Sequence, residues 1–427
     1  MIGSQLHRLW RKSLALKVLV AATLGLFSGC GDDAGLPVDG ETTVRYPMAL
    51  TPLPDGNHIL VWGANFDRKY RAGKVRLLDT ASEKLVGTGL EVAGFVGGAA
   101  LQLPYDASTT QTLPQLRALM TSRETDDLTQ VDVKIGATPQ LACGDHDLYG
   151  HCSQHFPPLD NTNDKLSIGA DPMGIEVRPW IDGKWLVMTV AAADGRVAAL
   201  TVDAKGQFAP LGSLNLGAGL VALKTVASSG RTYISDARAP SVYAVVVEKN
   251  PENLKEYRVR AAKSIALPAA SLRDFAHGLA QSLDGGRLYV ANRSPAALIT
   301  IDIAQDVGGE PRDQVVDVLP LGGQPSEVAV APSGPAGHER VYVSCFNDDA
   351  IWVIDPQLRA VVQRIALPHA PFGLVAVNVP SAHPTGSGQA RGWMLYTGLF
   401  NKHAVAALPI AHGAIDLHAV RLIGGTP

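Results

Sequence analysis

QPSEVAVAPSG (324–334), RVYVSCFNDDAIWVID (340–355) and RAVVQRIALPHAP (359–371) follow one another as strand, strand, short turn, strand, strand. Val328 with Val330, and Ile351 with Val353, alternate with the period of two expected of half-buried strands, and Gly, Pro, Asn and Asp mark the turns between them. A sheet of four such strands cannot bury enough surface alone, so the unit predicts further copies of itself.

Those copies run the length of the chain. Each opens on a small residue followed by an apolar pair, and this column reads Ala49, Gly98, Gly174, Gly219, Gly278, Glu327 and Gly373, with Glu327 the exception in size. Second strands follow as HILVWGA (58–64), RALMTS (117–122), KWLVMTV (184–190), RTYISD (231–236), RLYVAN (287–292), RVYVSC (340–345) and WMLYTG (393–398). Seven units at spacings near those of propeller blades predict an all-β fold, a seven-bladed β-propeller of four-stranded antiparallel blades over residues 44–427. Small residues suit the column because seven innermost strands crowd around one axis. An outer strand is expected over Leu417 to Ile423.

Leu288-Tyr289-Val290-Ala291-Asn292 and Val341-Tyr342-Val343-Ser344, with the trailing pairs Ile301-Asp302 and Ile354-Asp355, resemble the YVTN signature of bacterial and archaeal propeller repeats. The match is strong in units five and six and weak in unit two. The resemblance implies the fold and hardly constrains function, because propellers host many activities.

Ahead of the repeats, Arg8, Arg11, Lys12 and Lys17 precede the apolar run 18–27, too short to span a bilayer, in the order of a secretory signal. Phe27-Ser28-Gly29-Cys30 resembles the bacterial lipobox, with Phe27 where that motif usually has Leu. Residues 1–29 are thus expected to be a lipoprotein signal peptide and Cys30 the acylated N-terminus. Residues 30–43, rich in Gly, Asp and Thr, are expected to form a flexible tether. By the enterobacterial sorting pattern Gly31 favours an outer-membrane anchor, so the expected location is extracytoplasmic, on the periplasmic side or the cell surface. The net charge of −3, with both signs mixed, provides no basic field for nucleic acid.

In propellers the ligand face usually carries the loops entering the innermost strands and those joining second to third strands. The residue before the column should ring the channel mouth: Met48, Gly97, Met173, Ala218, His277, Ser326 and Phe372. A single histidine there is not a metal site. The second-to-third-strand loops offer a polar binding face at Arg68, Arg71, Arg123, Asp126, Arg238, Arg293, Asp348, Asn401 and His403, alongside His277. The segment 142–167 is an insertion holding Cys143-Gly-Asp-His146 and Cys152-Ser-Gln-His155. A Cys143–Cys152 disulfide is favoured in an oxidising compartment; zinc ligation, with His146, His151 and His155 as weak candidates, is the alternative. Cys345, inside a second strand, reads as a buried small hydrophobe.

No nucleophile elbow, phosphate loop or metalloprotease helix motif occurs. The favoured function is a non-catalytic, monomeric binding or scaffold module for an envelope protein or polysaccharide, needing no cofactor and touching the membrane through its lipid alone. The alternative, implied by the YVTN resemblance, is a lactonase-like hydrolase using a divalent metal or a histidine base. Cys30→Ala is expected to abolish incorporation of a labelled fatty acid and to release the protein from the membrane fraction. Unchanged labelling and partition would refute the assignment.

Overall fold

The computed structural model describes residues 43–102, 116–134, 136, 139–144, 152, 167–270, 274–334, 337–380 and 391–425. The signal segment, Cys30 and most of the tether lie outside them. The seven innermost strands are Pro47–Pro52, Val96–Gln102, Pro172–Pro179, Leu220–Val226, Ala276–Gln281, Pro325–Pro332 and Pro371–Pro380. Each touches the next, and the seventh touches the first, so they form a closed ring. From each, three more strands step outward in antiparallel order, giving seven blades over 47–92, 96–142, 172–215, 220–266, 276–320, 325–366 and 371–424. The fold is a seven-bladed, all-β propeller.

The apolar core is divided among the seven blade interfaces. Leu60 and Trp62 of blade 1 meet Ala118 and Met120 of blade 2, and corresponding clusters fill every other interface. The second and third strands are buried on both faces, which corrects the half-buried reading of their alternation. In blade 6, Val341 and Val343 pack toward blade 5, whereas Tyr342 packs toward blade 7. The period of two therefore assigns side chains to one neighbour or the other. Solvent enters mainly at the outermost strands, such as Gln314–Pro320, where exposure alternates.

The motif tyrosines have a specific task. Tyr233, Tyr289 and Tyr342 are fully buried, and each hydroxyl donates to the following blade: to Asp313 Oδ1 at 2.6 Å, to Glu339 Oε1 at 2.6 Å and to the Gly413 carbonyl at 3.1 Å. Asp313 also pairs with Arg231, and Glu339 accepts the Leu283 N–H at 2.8 Å. Such a partner offsets the cost of burying a phenol; Tyr396, in the same register of blade 7, is buried with no hydrogen bond to its hydroxyl among the described residues. Blades 1 to 3 carry Leu60, Leu119 and Met188 in the corresponding register, with nothing to satisfy, so the signature fades there.

Register corrects two expectations. In blade 4 the bulge lies between Leu220 and Ala222, and Ala222 opposite Ser235 corresponds to Gly278 of blade 5. Ala222 therefore occupies the column, not Gly219, and Val221 replaces Ala218 in the ring. Gly219 sits in the preceding loop at a φ of 123°, a conformation glycine allows. The last strand is Arg421–Gly424, shorter than expected, because Leu417–Ala419 forms a 3-10 turn capped by Asp416. Together with Ala414–Ile415 it completes the outer edge of blade 7. Among the described residues no strand is exchanged between blades 7 and 1. They close by packing Val44, Ile59 and Leu78 on Tyr396, Val405 and Ile423, and by an Arg421–Glu83 ion pair.

Tyr289→Phe should leave half of a buried charge-assisted pair unmade and lower the unfolding free energy by about 1–3 kcal/mol. Urea unfolding at fixed pH checks this, and an unchanged midpoint would remove Tyr289 from the interface account.

Candidate functional site

Loops entering the innermost strands and those between second and third strands share one face, called here the upper face. At four blades the entering loop ends in an X-Pro pair whose first residue has positive φ: Tyr46 (40°), Asp171 (57°), Gln324 (52°) and Ala370 (49°). Three of these N–H groups are captured from the preceding blade. Asp126 Oδ1 accepts from Asp171 at 2.7 Å, Asp349 Oδ1 from Ala370 at 2.5 Å, and His403 Nδ1 from Tyr46 at 3.3 Å. Asp126 and His403, expected on the binding face, are thus staples between blades.

A second staple runs deeper. Thr121 Oγ1 accepts the Gly98 N–H at 2.8 Å and donates to the Met173 carbonyl at 3.0 Å, while Ser344 Oγ accepts the Glu327 N–H at 3.0 Å and donates to the Phe372 carbonyl at 2.9 Å. Column residues abut the next blade's ring: a Cβ on Gly98, Gly278 or Gly373 would lie 2.8, 2.6 or 2.6 Å from the carbonyl oxygen of Met173, Ser326 or Phe372's counterpart Met48. These contacts leave little room for side chains.

Two sectors stand on this frame. The first is charged and lies at blades 5 and 6. His277 Nε2 meets Asp274 Oδ1 at 2.6 Å, and Arg293 reaches Asp274 Oδ2 at 3.2 Å, the Pro325 carbonyl at 3.1 Å and Ser326 Oγ at 3.0 Å. Burial, reinforced by the Arg293 charge, pushes His277 below the ordinary histidine range despite its Asp274 bond. Burial pushes Asp274 upward, but the bonds from His277 and Arg293 outweigh it and hold the carboxyl low. Glu327 adjoins them. Its Oε2 lies 2.7 Å from where a Gly278 Cβ would stand, and its side chain has no hydrogen bond or ion pair among the described residues. Burial raises its pKa to about 7, with the Arg293 charge opposing.

The second sector is an aromatic arc across blades 6, 7, 1 and 2. Phe346 and Phe372 have ring centroids 6.1 Å apart, Phe346 and Phe400 5.7 Å, Phe400 and Phe66 5.3 Å, and Phe66 and Phe95 5.2 Å. Tyr46 packs on Phe400 at 4.9 Å, and Arg68 lies 5.4 Å over Phe95. Phe66 is 36% exposed. The signal was present as Asn65-Phe66, Phe346-Asn347 and Phe400-Asn401 in corresponding loops, but reading those loops for charge passed over it.

The remaining expected residues divide. Arg71 is held by Glu91 at 2.9 Å, Arg123 by Asp171 at 2.6 Å, and Asp348 accepts from Trp352 Nε1 at 3.0 Å. Arg238 and Asn401 are exposed. Cys143 and Cys152 form a disulfide with their Cα atoms 5.7 Å apart, and the Cys152 N–H donates to the Glu91 carbonyl at 3.0 Å, pinning the insertion to the upper rim of blade 1. His146, His151 and His155 lie outside the described residues. Among those described, no three His, Cys, Asp or Glu side chains converge as a metal site. Cys345 is buried and free, its thiol pushed up to about 12 by burial.

No protein-family model and no curated protein matches the sequence. In fold the chain is similar to hydrazine synthase of Kuenenia stuttgartiensis, with a TM-score of 0.55, 14% identity and coverage of 88% of this chain and 98% of that one. A protein of Lactobacillus plantarum gives 0.52, 15%, 75% and 85%, and a candidate 6-phosphogluconolactonase of Bacteroides uniformis gives 0.52, 13%, 80% and 94%. At these identities the likeness shows the propeller architecture alone.

Because Glu327 titrates above the ordinary carboxyl range, the stability it permits below about pH 4.5 is lost as pH rises through about 7. Glu327→Gln is expected to match the native protein near pH 4.5 and to exceed it by roughly 2 kcal/mol at pH 8, measured by urea unfolding. Equal stability at both pH values would exclude the half-buried, ionising carboxyl.

Proposed function

We propose that the protein is a YVTN-type, lipid-anchored extracytoplasmic monomer whose upper face is a binding module for an envelope saccharide. The aromatic arc carries this reading. Five phenylalanines and a tyrosine, partly exposed and contiguous, supply flat apolar faces, and the charged sector beside them supplies polar groups that orient a hydroxyl-rich ligand. Tyr46, Phe372 and Phe400 also pack against the core between blades 1 and 2, whereas Phe66, Phe95 and Phe346 belong to no core cluster and form the part of the patch free to serve recognition. The disulfide at the rim suits an oxidising compartment.

Calorimetric titration with soluble oligosaccharides from the envelope tests it. Phe66→Ala, at the most open part of the arc, is expected to weaken binding by about tenfold, which is 1.4 kcal/mol, with little effect on folding. Undiminished affinity would remove the arc from the site.

A second reading, lactone hydrolysis, is favoured by one observation, the Asp274–His277 pair beside Glu327. There a neutral His277, held through Nε2 by Asp274, takes a proton from water attacking the lactone carbonyl, and protonated Glu327 donates to the ring oxygen that leaves. One solved relative described as a candidate 6-phosphogluconolactonase has this fold. Opening of glucono-δ-lactone no faster than in buffer would retire this reading.

A further inference from the structure

We infer that Glu327 anchors a protonated amine, so that the saccharide received at the channel mouth is one carrying free amino groups. The inference rests on the saccharide reading and specifies its ligand.

Glu327 stands where the other six blades have Ala49, Gly98, Gly174, Ala222, Gly278 and Gly373. Crowding around the axis explains those six and makes a glutamate the least suitable residue for the fold. Only its main-chain N–H takes part in the inter-blade relay, through Ser344, and that bond would form with any residue. The carboxylate makes no bond to a described residue, and the missing side chain of Gly278 is what lets Oε2 lie there, 2.7 Å from where a Cβ would stand.

The neighbouring charges set what can partner the carboxylate. Arg293 is committed to Asp274, Ser326 and the Pro325 carbonyl, so its charge is balanced and its donors are engaged. His277, bonded to Asp274, is kept neutral by its surroundings. An ionised Glu327 is therefore one uncompensated negative charge on a half-buried side chain, a costly arrangement unless a ligand supplies the cation. An ammonium group supplies charge and three donors together. A hydroxyl in the same place satisfies a lone pair and leaves the charge unmet.

The test compares a glucosamine tetramer with the N-acetylglucosamine tetramer, which share the ring and differ in ammonium against acetamide, by calorimetric titration of the mature protein near pH 7. The glucosamine tetramer is expected to bind at least about tenfold more tightly. Glu327→Gln, of equal size and without charge, should erase the preference and leave the affinity for the acetylated tetramer within about twofold. Equal binding of both tetramers by the native protein, or a preference that survives in Glu327→Gln, overturns this inference and leaves the saccharide reading standing. Binding of neither tetramer overturns both.

Discussion

Apolar contact between the flat faces of adjacent sheets is the interaction on which everything else in this molecule depends. Each four-stranded blade has two oily faces and too little area to bury either by itself, so its stability is borrowed from both neighbours. Seven clusters, one at each interface, satisfy this need, and the circle leaves no sheet face uncovered. The side-chain alternation in a second strand then becomes a routing rule, with Leu288 and Val290 serving one interface and Tyr289 the next.

Packing of this kind is not directional, and the polar groups at its margins supply direction. Tyr233, Tyr289 and Tyr342 fix the heights of blades 4, 5 and 6 against the next, and Thr121, Ser344, Asp126, Asp349 and His403 repeat the task near the upper face at other and overlapping interfaces. With these polar groups of that face assigned to a neighbouring blade, a half-buried side chain without an assignment becomes conspicuous. Glu327 and the arc around Phe66 and Phe400 are of that kind. Sites that sacrifice stability in an otherwise self-consistent scaffold are where binding is expected.

The fold was legible because strand length, turn chemistry and the repeating unit all point to one architecture, and even the exceptional size of Glu327 was visible in the column. The one misplaced column residue has a local cause: Gly219 serves a left-handed turn just ahead of a strand that begins with Leu220, and it imitates the crowding glycines of other blades. The site was less legible. Loop residues such as Asp126 and His403 resemble a solvated binding rim in sequence, and their partners are backbone N–H groups of the next blade that no local pattern reveals. Asp274 gains importance only when the ring brings it to His277 and Arg293. The disulfide was within reach because both cysteines lie in one short insertion.

The seam between the first and last blades holds one more implication. Val44 and Ile423 pack in the same cluster, so the two ends of the ring meet, and among the described residues no strand crosses between blades to mark where the ring begins. What distinguishes this seam from the other six is the missing peptide connection. The circle is geometrically indifferent to its own starting point: joining the ends and opening any other inter-blade loop describes the same set of contacts in a permuted order.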